Sequence, residues 1–287
     1  MCGRYASSSR PEDLVEEFEV DEDRTGEWTR SILALPQSPP AGQPDFNIAP
    51  TKAAPIVLTR PPRGDADADG DGDGDGAAAA TRQLRLLTWG LVPSWAKDIK
   101  VGLRMINARS ETLLNTSSFA RAAAVRRCLV PADGWYEWQV SPTAVDARGK
   151  PRRQPFFIHR SDGGRLAMAG LYELWRDKAL TEDDRDAWLA TFTIITTAAE
   201  AGLDRLHDRQ PLILEPSSWA EWLDPTQTDL GRVKVHLDFS EPGRFDAFPV
   251  GLAVNSSRNN GEQLLAPLAR QDLIGAVDPT SGEIIGE

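Results

Sequence analysis

RRCLVPADGWYEWQV, residues 126–140, decides how this chain is read. Arg127–Val130 and Trp135–Val140 each have the length and the apolar, aromatic or β-branched content of a strand. In the second, alternation places Trp135 and Glu137 on one face and Tyr136 and Trp138 on the other. Working outward, strand-like segments recur at Pro55–Thr59, Leu84–Trp89, Pro155–Arg160, Leu166–Trp175, Trp188–Thr197 and Phe248–Val254. Residues 141–154 and 176–187 read as polar hairpin connections. Short helices fit Ser117–Arg126, Glu200–Leu206 and Pro216–Leu223, the last with proline in its first turn. A further helix is announced by the capping-box pair Ser9 and Glu12 and the apolar residues Leu14, Val15 and Phe18. No regular βαβ alternation is present. The fold class is therefore α+β, a strand-dominated domain with an antiparallel sheet core and short peripheral helices.

One domain is expected over residues 2–273, with 274–287 as a C-terminal tail. Residues 36–44 read as an extended linker, and 60–82 as a flexible acidic insertion rich in Gly, Asp and Ala. Six of the acidic residues lie in that insertion, between Asp65 and Asp75. The spacing of its Asp-Gly repeats is not that of an EF-hand.

The 287 residues carry a net charge of −11, with 40% hydrophobic and 26% charged residues, the balance of an ordinary globular protein. Overall acidity does not decide nucleic-acid binding, because a local basic groove can coexist with an acidic exterior. No apolar run approaches the roughly 20 residues needed to cross a bilayer, and no membrane partner is expected. The N-terminus lacks an apolar signal core, and two cysteines without a CxxC pair suit a reduced compartment. The expected location is cytoplasmic, the expected state a monomer. Cys2, Cys128 and the three histidines share no ligand spacing, so neither a metal nor a cofactor is expected.

Cys2 follows Met1 directly. Removal of Met1 would leave a free amine and a thiol on one residue. Such a 1,2-aminothiol condenses with an aldehyde to an imine, and the thiol closes it to a five-membered thiazolidine. The ordinary values, about 8 for an α-amine and about 8.5 for a thiol, bring both within reach of neutrality.

Other segments offer supporting chemistry. Trp89 suits core packing, whereas Trp95, after a turn in the Trp89–Trp95 loop, is placed to be exposed and to stack on bases. Asn107 and Arg109 point the same way from one short segment and can hold an anionic or sugar-like ligand. Arg126 and Arg127 fit either phosphate contacts or a basic helix end facing the helix dipole. Glu137 amid aromatic neighbours is either a salt-bridged strand residue or a carboxyl with raised pKa able to shuttle protons. His207, in a charged loop, is a candidate acid/base. His159 reads as structural.

In this order the strings MCGRY, FNIAPT, WGLVPSWAKD, INARSET, RRCLVPADGWYEW, QPFFIHR, MAGLYELW, TFTIITTAA and LHDRQPLIL resemble the SRAP family of SOS-response-associated peptidases, or abasic-site processing proteins. The resemblance covers most of residues 2–254. It implies a mixed fold around a β-barrel-like sheet system, and covalent capture of abasic sites in single-stranded DNA as a Cys2 thiazolidine that shields the lesion. It further implies that Cys2 is the nucleophile, Asn107 and Arg109 orient the sugar and contact phosphate, and Glu137 assists opening of the deoxyribose ring. His207 would assist Schiff-base chemistry, Arg4 and Arg209 would contact the DNA backbone, and Asn47 and Pro50 would lie near the Cys2 amine. Autocatalytic removal of Met1 would account for the peptidase name.

Two other classes compete. An N-terminal-nucleophile amidohydrolase would use Cys2 on an amide and turn it over without DNA. A non-covalent single-stranded DNA-binding module would use its tryptophans and retain DNA after Cys2→Ala.

Overall fold

A computed structural model of the protein describes residues 2–33, 35–61, 80–237 and 243–286. In chain order the strands are β1 (Tyr5–Ser7), β2 (Glu22–Asp23), β3 (Asp45–Ile48), β4 (Ala53–Arg60), β5 (Thr81–Trp89), β6 (Asn107–Arg109), β7 (Arg127–Ala132) and β8 (Gly134–Val145). They continue as β9 (Pro151–Arg160), β10 (Leu166–Arg176), β11 (Trp188–Ala198), β12 (Arg209–Pro211), β13 (Phe245–Pro249), β14 (Ala276–Val277) and β15 (Ile284–Ile285). Among the described residues four short α-helices accompany them: α1 (Pro11–Glu17), α2 (Ala120–Val125), α3 (Pro216–Leu223) and α4 (Leu230–Leu237). None of the described helices is long and apolar enough to cross a membrane.

Strands β10, β7, β4 and β5 run antiparallel in succession, with Cys128 of β7 opposite both Gly170 and Leu58. The long β11 pairs antiparallel with β10 and parallel with β5, where Phe192 faces Trp89. That last pairing closes the five strands into a barrel. A second, wholly antiparallel sheet has the order β13-β9-β8-β1-β3. The strand-dominated α+β reading therefore holds, with parallel pairings confined to β2, β5, β6 and β11.

The pleat directs alternate side chains to two cores. Ile56, Leu58, Trp89, Cys128, Val130, Phe192 and Ile194 pack with Tyr5, Trp135, Phe156 and Ile158 of the second sheet, and Cys2 is buried among them. Val57, Leu84, Leu129, Ala169 and Leu171 face the helices, meeting Leu14, Phe18, Trp222, Leu223, Val233 and Leu237. Tyr136 and Trp138 turn to a third cluster with Phe157 and Val250, as the alternation from Trp135 requires.

Some elements differ from the sequence reading. The first helix is capped at Arg10, whose N–H donates to Asp13, instead of through the Ser9 and Glu12 pair. The segment Glu200–Leu206 forms only a 3₁₀ turn at Leu203–Arg205. Strand β13 ends at Pro249 instead of starting near it; proline has no N–H to continue the ladder. Most of the expected insertion, 62–79, lies outside the described residues. Its margins are ordered strand, with Arg60 paired to Thr81 at the ends of β4 and β5. The expected boundary at 273 does not coincide with the edge of the packed core. Strands β14 and β15 form a small hairpin, and Ala276 and Ile285 are buried in the same cluster as Cys2.

Arg127 does not reach outward to phosphate. Its guanidinium is buried and donates to the carbonyls of Ala123, Ala124, Trp222, Asp224 and Gln227 at 2.6–3.0 Å. The carbonyls left over at the ends of α2 and α3 are thereby satisfied by one side chain. Arg126 pairs with Glu173 at 2.9 Å.

Candidate active site

The chain enters the molecule at its centre, and β1 begins three residues after Cys2. Strand β8 lies beside β1, with Trp135 opposite Tyr5, so the inward-facing Glu137 is carried to the same side as Cys2. From the other direction, β6 lies along β11 and presents Asn107. The Asn107 amide nitrogen donates to the Cys2 carbonyl at 2.7 Å. Its amide oxygen is buried and has no partner among the described residues. An unfilled acceptor therefore stands beside the Cys2 backbone.

Burial pushes the Glu137 carboxyl up to about 7, against the pull of the positive amino terminus. The thiol of Cys2 is raised far above its ordinary value, first by burial and then by the negative charge of Glu137. At neutral pH this thiol is thus protonated. His207 sits just before β12, on the opposite edge of β11 from β6. Its Nδ1 accepts the Arg209 N–H at 3.0 Å and lies 2.8 Å from the Asp208 carboxylate. Partial burial pulls the imidazole below its ordinary value, and the charge of Asp208 helps to raise Glu137. Among the described residues no group of three or more His, Cys, Asp and Glu is arranged to hold a metal.

The candidate binding residues separate. Arg109 is exposed, two residues from Asn107 on β6, and Trp95 is 61% exposed beside a cleft of about 490 Å³ lined by Lys97, Lys100 and Arg104. Trp89 is buried and donates to the Ile106 carbonyl. Arg4 turns instead toward Asn47, the Val254 carbonyl and the face of Trp138. Asn47 is fully buried. Its amide accepts from Arg4 and donates to the carbonyls of Val254, Ser256 and Asn259, so it fastens the 254–259 loop to β3. Pro50 is half-buried at the turn after β3, followed by Thr51 with φ of 78°. Arg209 is engaged by Glu111 and Thr196. The Arg209–Glu111 pairing was not legible, because the two residues lie 98 positions apart. Asp208 had a signal in its adjacency to His207.

A closed strand barrel with Cys2 buried beside a carboxyl and an amide defines the class. The family model described as SOS response associated peptidase (SRAP) matches residues 1–257, and the chain belongs to that family. Abasic site processing protein YoqW of Bacillus subtilis is 33% identical over 92% of this chain and 99% of its own length. Mouse abasic site processing protein HMCES is 30% identical over 93% of this chain and 76% of its own length. Among solved structures, a protein of Bacteroides thetaiotaomicron superposes with a TM-score of 0.68 at 20% identity, covering 93% of this chain and 100% of that one. A phage-related protein of Bordetella bronchiseptica gives a TM-score of 0.55 at 31% identity, covering 90% of this chain and 99% of that one.

Proposed function

We propose that the protein captures abasic sites in single-stranded DNA as a covalent thiazolidine on Cys2, shielding the lesion from strand cleavage. The observation that carries this reading is the placement of Cys2 between the Asn107 amide and a Glu137 carboxyl whose pKa lies near neutrality. The names of the relatives, abasic site processing proteins, point to the same lesion.

The chemistry follows from those groups. An abasic deoxyribose is mostly a closed hemiacetal, and opening it moves one proton from the anomeric hydroxyl to the ring oxygen. Glu137, half protonated near pH 7, is suited to carry that proton. With Met1 removed, the Cys2 amine adds to the aldehyde carbon, and loss of water leaves the imine. The Cys2 thiol is protonated at this stage, so nitrogen attacks before sulfur. Sulfur then adds to the imine carbon as the thiol proton passes to nitrogen, and the ring is closed. Asn107 holds the Cys2 carbonyl and offers its free oxygen to the amine or to a sugar hydroxyl. His207, kept largely neutral, can exchange protons with the imine nitrogen and so assist both formation and reversal. The same site acting on the Met1–Cys2 bond would make the peptidase activity a self-processing step. Arg109 and Trp95 are the exposed groups available to phosphate and base, with Arg4 and Arg209 as further backbone contacts. We take the working form to be an intracellular monomer.

Incubation with a single-stranded oligonucleotide bearing one abasic site, followed by denaturing electrophoresis, tests the proposal. A 1:1 adduct is expected whose mass equals protein lacking Met1 plus DNA minus one water. Cys2→Ala should abolish it, and Cys2→Ser should yield no stable ring. Absence of an adduct with protein shown by intact mass to lack Met1 overturns the proposal.

A further inference from the structure

Arg209 and Glu111 form a two-pronged ion pair. Nη1 donates to Oε1 at 2.5 Å and Nη2 to Oε2 at 2.9 Å, while Nη2 also donates to the Thr196 carbonyl at 2.5 Å. The two partners are unequal. The Arg209 side chain is 11% exposed and pinned to the β11 backbone, whereas Glu111 is 51% exposed on the turn after β6. Arg209 holds the Glu111 carboxyl below the ordinary range, so at neutral pH it carries its full charge. Glu111 therefore caps the fork from the solvent side.

A planar guanidinium grips a carboxylate and a phosphate with the same parallel pair of N–H donors. The fork lies within electrostatic reach of His207, and Arg109, also exposed, lies within electrostatic reach of Glu111. A DNA strand crossing the site between these arginines would bring a phosphate to the position that Glu111 fills.

We infer that Glu111 is a built-in phosphate surrogate, which a phosphate of the bound strand must displace from Arg209 before the strand is fully seated. This rests on the reading of the site as one for DNA, though not on the covalent step. Its consequence is selectivity. Exchange of one anion for another yields little net attraction, so the fork contributes little to passing, undamaged strands. A strand already held at the lesion has time and local concentration to complete the exchange.

Fluorescence anisotropy with an undamaged single-stranded oligonucleotide measures this without any adduct. Glu111→Gln keeps the size of the side chain but loses the charge. It is expected to tighten binding by about 10-fold at low salt and to steepen the log–log salt dependence by about 0.7, the increment for one more phosphate contact on a single strand. Adding Arg209→Met to that variant should remove both gains. Unchanged or weaker binding by Glu111→Gln overturns the inference and makes Glu111 a support for Arg209. So does a gain that survives Arg209→Met, since it would then be a general charge effect. Failure of the covalent reading shows separately, as absence of the abasic adduct with the wild-type protein.

Discussion

Glu137 shows how one residue takes its chemistry from its position in a strand. Its alternation with Trp135 was legible, but alternation alone could not separate a salt-bridged carboxylate from a buried one; only the closeness of β1 to β8 does so. With a folded-state pKa of about 7 against an ordinary 4.5, the folded protein binds this proton more tightly than the unfolded chain. The associated stability is fully present below about pH 4.5 and is lost as pH rises through about 7. Glu137→Gln keeps the shape and cannot ionise. It is expected to be more stable than wild type at pH 8, by at most roughly 3 kcal/mol, with the difference shrinking to under about 1 kcal/mol at pH 5. The same variant should form the abasic adduct at least about 10-fold more slowly, and the inflection near pH 7 in the wild-type rate should disappear. Denaturant titrations at the two pH values and a pH–rate series provide the check. Equal stabilities at pH 8 would mean that water reaches the carboxyl. Cys2, Asn107 and His207 were likewise singled out by residue type and neighbours. Sequence does not reveal that the Asn47 amide is spent on Arg4 and on the 254–259 loop.

At the level of elements, the long strands β5 and β7–β11 were legible because each is long enough to display its pattern. The three-residue strands β1, β6 and β12 were not, since three residues show no period, and they exist only because longer strands offer them an edge. Two of these short strands, β1 and β6, bring Cys2 and Asn107 into hydrogen-bond contact, and β12 follows directly on His207 and Asp208. The α2–β7 junction makes the complementary point: a basic pair after a helix suggested a ligand, yet Arg127 serves the ends of two helices. Arg127→Met would leave those buried carbonyls without donors and is expected to cost about 2–4 kcal/mol. The measurement is the urea midpoint, which should fall with an unchanged slope. Adduct formation by the folded fraction should stay near wild type, because α2 and α3 pack on the side of the barrel away from Cys2.

Across the whole molecule, the site depends on a segment beyond the residues that the family model matches. The match ends at 257, but the buried cluster around Cys2 is completed by Leu273, Ala276 and Ile285. The terminal hairpin is also tied to the site by hydrogen bonds. Gln139, next on the inward face after Glu137, accepts the Val277 N–H at 2.6 Å and donates to the Val277 carbonyl at 2.8 Å. Arg205, two residues before His207, donates to the carbonyls of Pro279 and Thr280 at 2.6 and 2.8 Å. The hairpin thus holds both the Glu137 strand and the approach to His207. Ending the chain after Leu273 would uncover the neighbours of Ala276 and Ile285 and release both anchors. A loss of about 3 kcal/mol is expected from the apolar surface alone, near what burial of one large and one small aliphatic side chain contributes. The truncated protein should still fold, since both sheets lie within the retained residues, but its adduct rate at saturating abasic DNA should fall while its affinity for undamaged strand stays close to wild type. A thermal melt and a single-turnover crosslinking series separate the two effects. If rate and melting temperature both match the full chain, residues 274–287 are dispensable, and the barrel holds its site without them.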